Sequence, residues 1–214
     1  MNRNRILIII FCIFALLLYL LSSVRITAFD EKMYTSFFSA NNIYSKLPDA
    51  GARAGNLIGY IRGSQELNRT FFNEKEALHM KDVKSLFTLS YAMLAISMLL
   101  CAAIMAYAFF KKDIKLISGC LLFGGISSVG AAILLFLLSL NFQAFFTLFH
   151  KTLFTNNLWL MDPLADKIIV LLPEAFFRLA AIRMLLTFGM LSLGMLIAGI
   201  IVRWMSKRMK HVCA

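Results

Sequence analysis

The sequence predicts an all-α membrane protein, with four transmembrane helices and a small extracytoplasmic cap. Three observations carry this. Of its 214 residues, 60% are hydrophobic, above the share of about half usual for a soluble domain. Four apolar runs, about 6–24, 86–110, 116–142 and 179–202, are each long enough for a hydrocarbon core that takes about 20 helical residues to cross. The net charge of +11 is unevenly placed. Three short segments, around Arg3 and Arg5, Lys111 to Lys115, and Arg203 to Lys210, hold nine basic residues and one acidic one, whereas 24–84 and 142–183 are nearly balanced. Short basic loops stay in the cytoplasm. Both termini are therefore expected to be cytoplasmic, with the longer segments 25–85 and 143–178 outside the plasma membrane. The excess charge is a topology signal and calls for no nucleic-acid partner. The whole chain reads as a single membrane domain.

The first run follows MNRNR and is longer than the apolar part of a usual signal peptide. SSVRITAF offers no small-x-small cleavage site, and Phe11 is a poor residue to precede a lipid-modified Cys12. An uncleaved first helix is expected. Cys12, Cys101 and Cys120 lie within spans and Cys213 in the tail, so no disulfide framework is expected. There is no CxxC or other metal-ligand cluster, and no metal or cofactor is expected.

Residues 24–84 scatter aromatics among Lys, Asn and Ser, more densely than a disordered linker would. They are too few for an independent core, so a cap folded onto the helices is expected. LPDAGARAGNL reads as a turn before a short helix ending near Arg62-Gly63. Asn73 reads as an N-cap, with Glu74 and Glu76 in the first turn where the helix dipole favours acids. That places His79 on a helix a turn or two before the second span. Asp82 lies on the same face. In the third span, GCLLFGGISSVGAA supplies small residues for close helix packing, and the helix is expected to continue through Phe142 to Phe149.

The stretch Phe149 to Phe177 concentrates polar groups that a plain loop would not need. Asp162-Pro163 reads as N-cap and first turn of a short helix carrying Leu164, Ile168 and Leu171, and Pro173-Glu174 as the start of the fourth span. Helix starts account for Asp162 and Glu174, but not for His150, Asp166 or Arg178. Arg183 falls about a turn and a half deeper than Arg178. An intramembrane charge needs a partner, and Asp166 or Glu174 is the expected one. His211 sits in the basic tail, where solvation is expected.

His79 and His150 fall in different outer segments at the same depth. A four-helix bundle is only about 20 to 25 Å across, so the two can meet. No HExxH spacing supports a metal site, and no GxSxG elbow a serine nucleophile. Two imidazoles of near-neutral pKa with orienting carboxylates suffice for general acid–base catalysis, in which the substrate brings its own nucleophile.

The segments FFNEKEALHMKDVKSLF and FHKTLFTNNLWLMDPLADKIIVLLPEAFF resemble the paired HMxDVK and FHxxxFxNxxWxxDPxxDxLI pattern of the lipoprotein intramolecular transacylases. The resemblance implies an acyltransferase working on a diacylglyceryl lipoprotein. An acyl chain leaves the glyceryl sn-2 ester for the α-amine of the N-terminal cysteine, giving the lyso-form. It would place His79 and His150 as the acid–base pair, with Asp82 a candidate orienter. Asn156, Trp159, Asp162 and Asp166 match the pattern and would shape the site, while Arg178 would hold substrate or pair internally. Membrane lipid is the other expected partner. The competing readings are a non-enzymatic membrane protein, such as a scaffold or transporter subunit, and an acyl-chain enzyme acting on another lipid.

Overall fold

The computed structural model describes residues 2–212, and side chains as far as Arg208; the side chain of His211, and Cys213, lie outside the described residues. Among these the chain forms nine helices and no strand. They are α1 (Arg3–Ala28), α2 (Glu31–Ala40), α3 (Ile43–Lys46), α4 (Ala50–Arg62), α5 (Glu74–Phe110), α6 (Ile114–Ser139), α7 (Phe142–Leu153), α8 (Lys167–Leu171) and α9 (Glu174–Val212). Helices α1, α5, α6 and α9 are long and apolar enough to cross a membrane. Helices α1, α5 and α9 are longer than their apolar runs, because polar residues continue the helix beyond the stretch that lipid selects.

The chain divides into two compact units. The first comprises Met1–Val24, Tyr91–Leu137 and Met184–Ala214. Its core holds Phe11, Ala15, Cys101, Ile104, Leu116, Cys120 and Met195. Many other apolar side chains on its helices, among them Leu99, Leu134 and Leu186, stay exposed, as helices bathed in lipid require. Asn4 donates to Asp113 Oδ2 at 2.8 Å, and the other oxygen of Asp113 caps α6 at Leu116 N–H, 2.9 Å away. The basic N-terminus and the basic α5–α6 turn therefore share one end of this unit.

Small residues bring α6 and α9 together as expected. A methyl group on Gly125 would fall 2.5 Å from Leu196 Cα, and one on Gly199 2.5 Å from Leu122 N. Backbone stands in the way in both cases, so the helices would have to part. Gly125→Ala is expected to cost about 1–3 kcal/mol, the usual range for overpacking. Gly130→Ala, which meets nothing within 4 Å, is expected to be near neutral. Thermal unfolding of the two detergent-solubilised variants checks this.

The second unit comprises Arg25–Ser90 and Leu138–Arg183. Helices α2, α3 and α4 share with α8 and the start of α9 a core built on Met33, Phe37, Phe38, Leu57, Ile168, Leu171 and Phe176. The cap is thus folded as expected, and α4 ends at Gly63, whose φ of 83° suits glycine at a helix C-terminus. It begins earlier than expected, at Ala50, so that AGARAGNL is helical.

Three expectations need correction. The third span does not run on into Phe149: α6 stops at Ser139, and Asn141 starts α7 by accepting from Ala144 N–H at 3.2 Å. A side-chain amide that caps a new helix competes with continuation of the old one. The short helix starts at Lys167, not at Pro163. Asp162–Asp166 is instead a turn in which Asp162 Oδ1 accepts from Leu164 N–H at 3.0 Å, leaving Leu164 91% exposed. Arg183 pairs with Asp30 at 2.7 Å, not with Asp166 or Glu174.

Candidate active site

His79 sits in the second turn of α5, a helix whose start is fixed by two reciprocal bonds. Asn73 Oδ1 accepts from Glu76 N–H at 2.9 Å, and Glu76 Oε2 accepts from Asn73 N–H at 2.7 Å. This is a capping box. Asn73 as N-cap agrees with the sequence; the N-x-x-E spacing also carries the return bond from Glu76, beyond the dipole effect expected of it. Glu76 is fully buried and its other oxygen accepts from Ile168 N–H at 2.6 Å, so one carboxylate secures the start of α5 and the start of α8.

Asp166 is the second such anchor. It is 2% exposed and accepts from Asn73 Nδ2 at 2.8 Å, Asp162 N–H at 2.8 Å and Lys75 Nζ at 3.1 Å. Burial alone would raise its pKa, but the bonds from Asp162, Asn73 and Lys75 outweigh it and hold the carboxyl below its usual range. Lys75 also donates to Leu160 O at 2.6 Å. Asp166, Asn73, Lys75 and Glu76 therefore form a polar knot joining the loop 154–166 to the start of α5. None of these bonds involves an imidazole.

His150 lies in the last turn of α7, where its Nδ1 is 2.7 Å from Phe146 O. A carbonyl only accepts, so the assignment is Nδ1–H, and the neutral ring keeps its lone pair on Nε2. His150 is 8% exposed and boxed by rings: Phe146 at 4.1 Å, Trp159 at 5.0 Å, Phe149 at 5.3 Å and Phe154 at 5.6 Å between centroids. Burial pushes its pKa below the ordinary 6.5, more than the bond to Phe146 O raises it.

The two imidazoles do meet. Their centroids are 6.3 Å apart with planes 29° from parallel, and Phe154 lies 5.1 Å from His79. His79 Nδ1 is buried without a hydrogen-bond partner. Asp82 accepts from Asn156 Nδ2 at 2.9 Å and makes no bond to that nitrogen. Trp159 thus lies on His150 and Asn156 reaches Asp82 on the helix of His79, while Asp162 and Asp166 shape the loop that carries them.

Arg178 pairs with Glu174 at 2.9 Å and lies over the Phe142 ring at 5.6 Å, a turn or two of α7 away from His150. Phe154 and Phe146 were not singled out from the sequence. The signal was present, since both lie four residues from His150, one helical turn to either side. Among the described residues no group of three or more His, Cys, Asp or Glu side chains is placed to hold a metal ion.

The family model described as lipoprotein intramolecular transacylase Lit matches residues 9–177. Among solved structures, the membrane-integral lipoprotein intramolecular transacylase Lit of Bacillus cereus superposes with a TM-score of 0.86 at 24% identity, covering 96% of this chain and 98% of that one. Two further structures of that protein, each with one histidine replaced, by arginine and by alanine, give TM-scores of 0.80 and 0.78 at 24% and 22% identity. They cover 97% of this chain and 94% and 96% of theirs. No curated protein matches the chain significantly.

Proposed function

The chain belongs to the lipoprotein intramolecular transacylase family, and from that premise we propose that His79 and His150 move the protons of an N-acyl transfer within a diacylglyceryl lipoprotein. The α-amine of the lipoprotein's N-terminal cysteine attacks the carbonyl carbon of the sn-2 ester. An amide C–N bond forms and the ester C–O bond breaks, leaving a glyceryl hydroxyl. One proton leaves the nitrogen and one reaches the departing oxygen, and a proton passing from one imidazole to the other leaves the enzyme as it began.

The observation that carries this reading is the 6.3 Å pairing of two imidazoles with complementary unmet needs. His150, with Nδ1–H held by Phe146 O, offers Nε2 as the base for the amine. His79, whose buried Nδ1 has no partner, gains one when the ester oxygen arrives; it receives the proton that His150 took and passes it to that oxygen. An unpaired buried polar atom is costly, which favours bound substrate. Because nucleophile and ester share one molecule, holding them together supplies much of the rate, with effective molarities of about 10⁵ M or more. No serine or cysteine nucleophile is needed.

The charge asymmetry supports both termini in the cytoplasm and the histidines at the outer face. Lipoproteins carry their lipidated cysteine at that surface under this reading, and Trp159, Asn156 and Asp82 shape the approach to it. The test is expression in a host that accumulates diacylglyceryl lipoproteins. Mass spectrometry of the lipoprotein N-termini is expected to show conversion to the lyso-form with one amide-linked chain. Unchanged diacyl N-termini, with the protein present in the membrane, would overturn the proposal.

A further inference from the structure

We propose that the hydrogen bond from Asn156 to Asp82 is a clamp that sets how the two histidines face each other. Asn156 and Asp82 are then positioning residues, an inference that rests on the acid–base reading of the pair. Asp82 follows His79 by three residues on α5, so the two side chains lie on one side of the helix. Asn156 stands between Phe154 and Trp159, the two loop rings that lie against His150 at 5.6 Å and 5.0 Å. Its amide reaches Asp82 Oδ2 at 2.9 Å across 74 residues of sequence. Its Oδ1 accepts from Leu158 N–H at 3.1 Å. A single side chain therefore bends the turn that presents Trp159 and fastens that turn to the helix of His79.

The other polar ties of this loop, Lys75 to Leu160 O and Asn73 to Asp166, hold it to the first turn of α5. The clamp is the tie level with the imidazoles. What it requires of Asp82 is an acceptor oxygen pointing at Asn156; His79 Nδ1 makes no hydrogen bond to that carboxylate, although its charge reaches the imidazole. The Asp82→Asn variant separates the clamp from the alternative in which Asp82 serves His79 through its charge.

The experiment uses the purified full-length protein in detergent with a diacylglyceryl lipoprotein, reading kcat and KM from lyso-form production. Asn156→Ala is expected to lower kcat about 10²-fold, the cost of roughly an ångström of misplacement, with a smaller change in KM. Asp82→Asn keeps an acceptor for the Asn156 amide and is expected to stay within about tenfold of the native kcat, since a neutral bond is about half as strong as a charge-assisted one. Asn156→Asp alone sets two carboxylates against each other and is expected to be impaired. Adding Asp82→Asn to it restores an amide-to-carboxylate bond in the reverse sense and is expected to recover most of the loss, a rescue that a purely local structural role would not give.

A native kcat in Asn156→Ala would overturn the clamp. So would an Asp82→Asn variant as impaired as Asn156→Ala, together with an exchanged pair no better than Asn156→Asp. Should Asn156→Ala not fold, Asp82→Asn and the exchanged pair decide the matter between them. Failure of the transacylase reading itself looks different: the native protein then makes no lyso-form, or makes it unchanged after His79→Asn.

Discussion

Replacing His150 or His79 by alanine is expected to lower kcat/KM for lyso-form production by about 10²–10⁴-fold, the contribution usual for a positioned acid or base. The loss of rate should exceed any loss of fold. His79→Ala removes a half-buried ring whose Nδ1 makes no bond, and its unfolding temperature is expected to fall little. His150→Ala empties a site boxed by four rings and is expected to lower Tm as well, so His150→Asn, which fills more of the space, is the control, with mass spectrometry reporting unconverted diacyl N-termini in all three. Full activity in either variant would sink the pairing. The pH profile adds a second, independent check. kcat/KM is expected to fall below about pH 8, where the substrate's α-amine becomes protonated. It should steepen only below 6.5, because burial lowers the His150 pKa from that value and keeps the ring in its basic form. An enzyme-derived limb above 6.5 would contradict the buried environment of His150.

The largest expected loss of stability follows from Asp166→Ala. Removing this buried carboxylate takes a charged acceptor from the Asn73 amide and the Asp162 N–H, each bonded to it at 2.8 Å. At about 1.5–3 kcal/mol per hydrogen bond to a charged group, taken at the low end because both donors belong to exposed residues, the cost is about 3 kcal/mol. Lys75 is discounted, because it is partly exposed and retains Leu160 O. For a chain of this size that corresponds to a fall of about 6–12 °C in Tm. The effect also has a pH signature. The Asp166 pKa is depressed in the fold, so its contribution is fully present above the unfolded value of 3.8 and is lost as pH falls through the folded one. His150 is depressed as well, and its protonation in the unfolded chain weakens the fold as pH drops below 6.5. Acid should thus destabilise in two stages, and Asp166→Ala should remove the lower one. Thermal unfolding between pH 3 and 8 reads both.

Much of this site was legible in the sequence because it depends on local chemistry. Asn73 and Pro173 mark helix starts by what their side chains do to the nearest backbone, and the apolar runs mark the spans. The meeting of His79 and His150 followed from depth alone. The pairings across loops were not legible. Arg183 had three acids at similar depth to choose from, and only the folded cap shows that Asp30 is the one. Asp162 and Asp166 stand four residues apart, and only Asp162, with proline after it, reads as a helix start. The helix took the second because the carboxylate of Asp166 is spent on Asn73, Lys75 and the Asp162 N–H, with Asp162 bent into the turn before it. Asn141 lies in an apolar run long enough to span, which hides the new helix that its side chain caps.

The double duty of Glu76 bears on the order in which the molecule can be assembled. Its carboxylate closes the start of α5 on one side and the backbone of Ile168 on the other, a partner 92 residues further along the chain. During synthesis α5 enters the membrane while that second partner has not yet been made, so its first turn holds an incompletely neutralised acid until α8 emerges. Contacts so distant in sequence form late. A nascent or truncated chain ending before residue 168 thus carries both histidines and the Asn156–Asp82 bond, but not the tie from Glu76 to Ile168 that joins the start of α5 to α8.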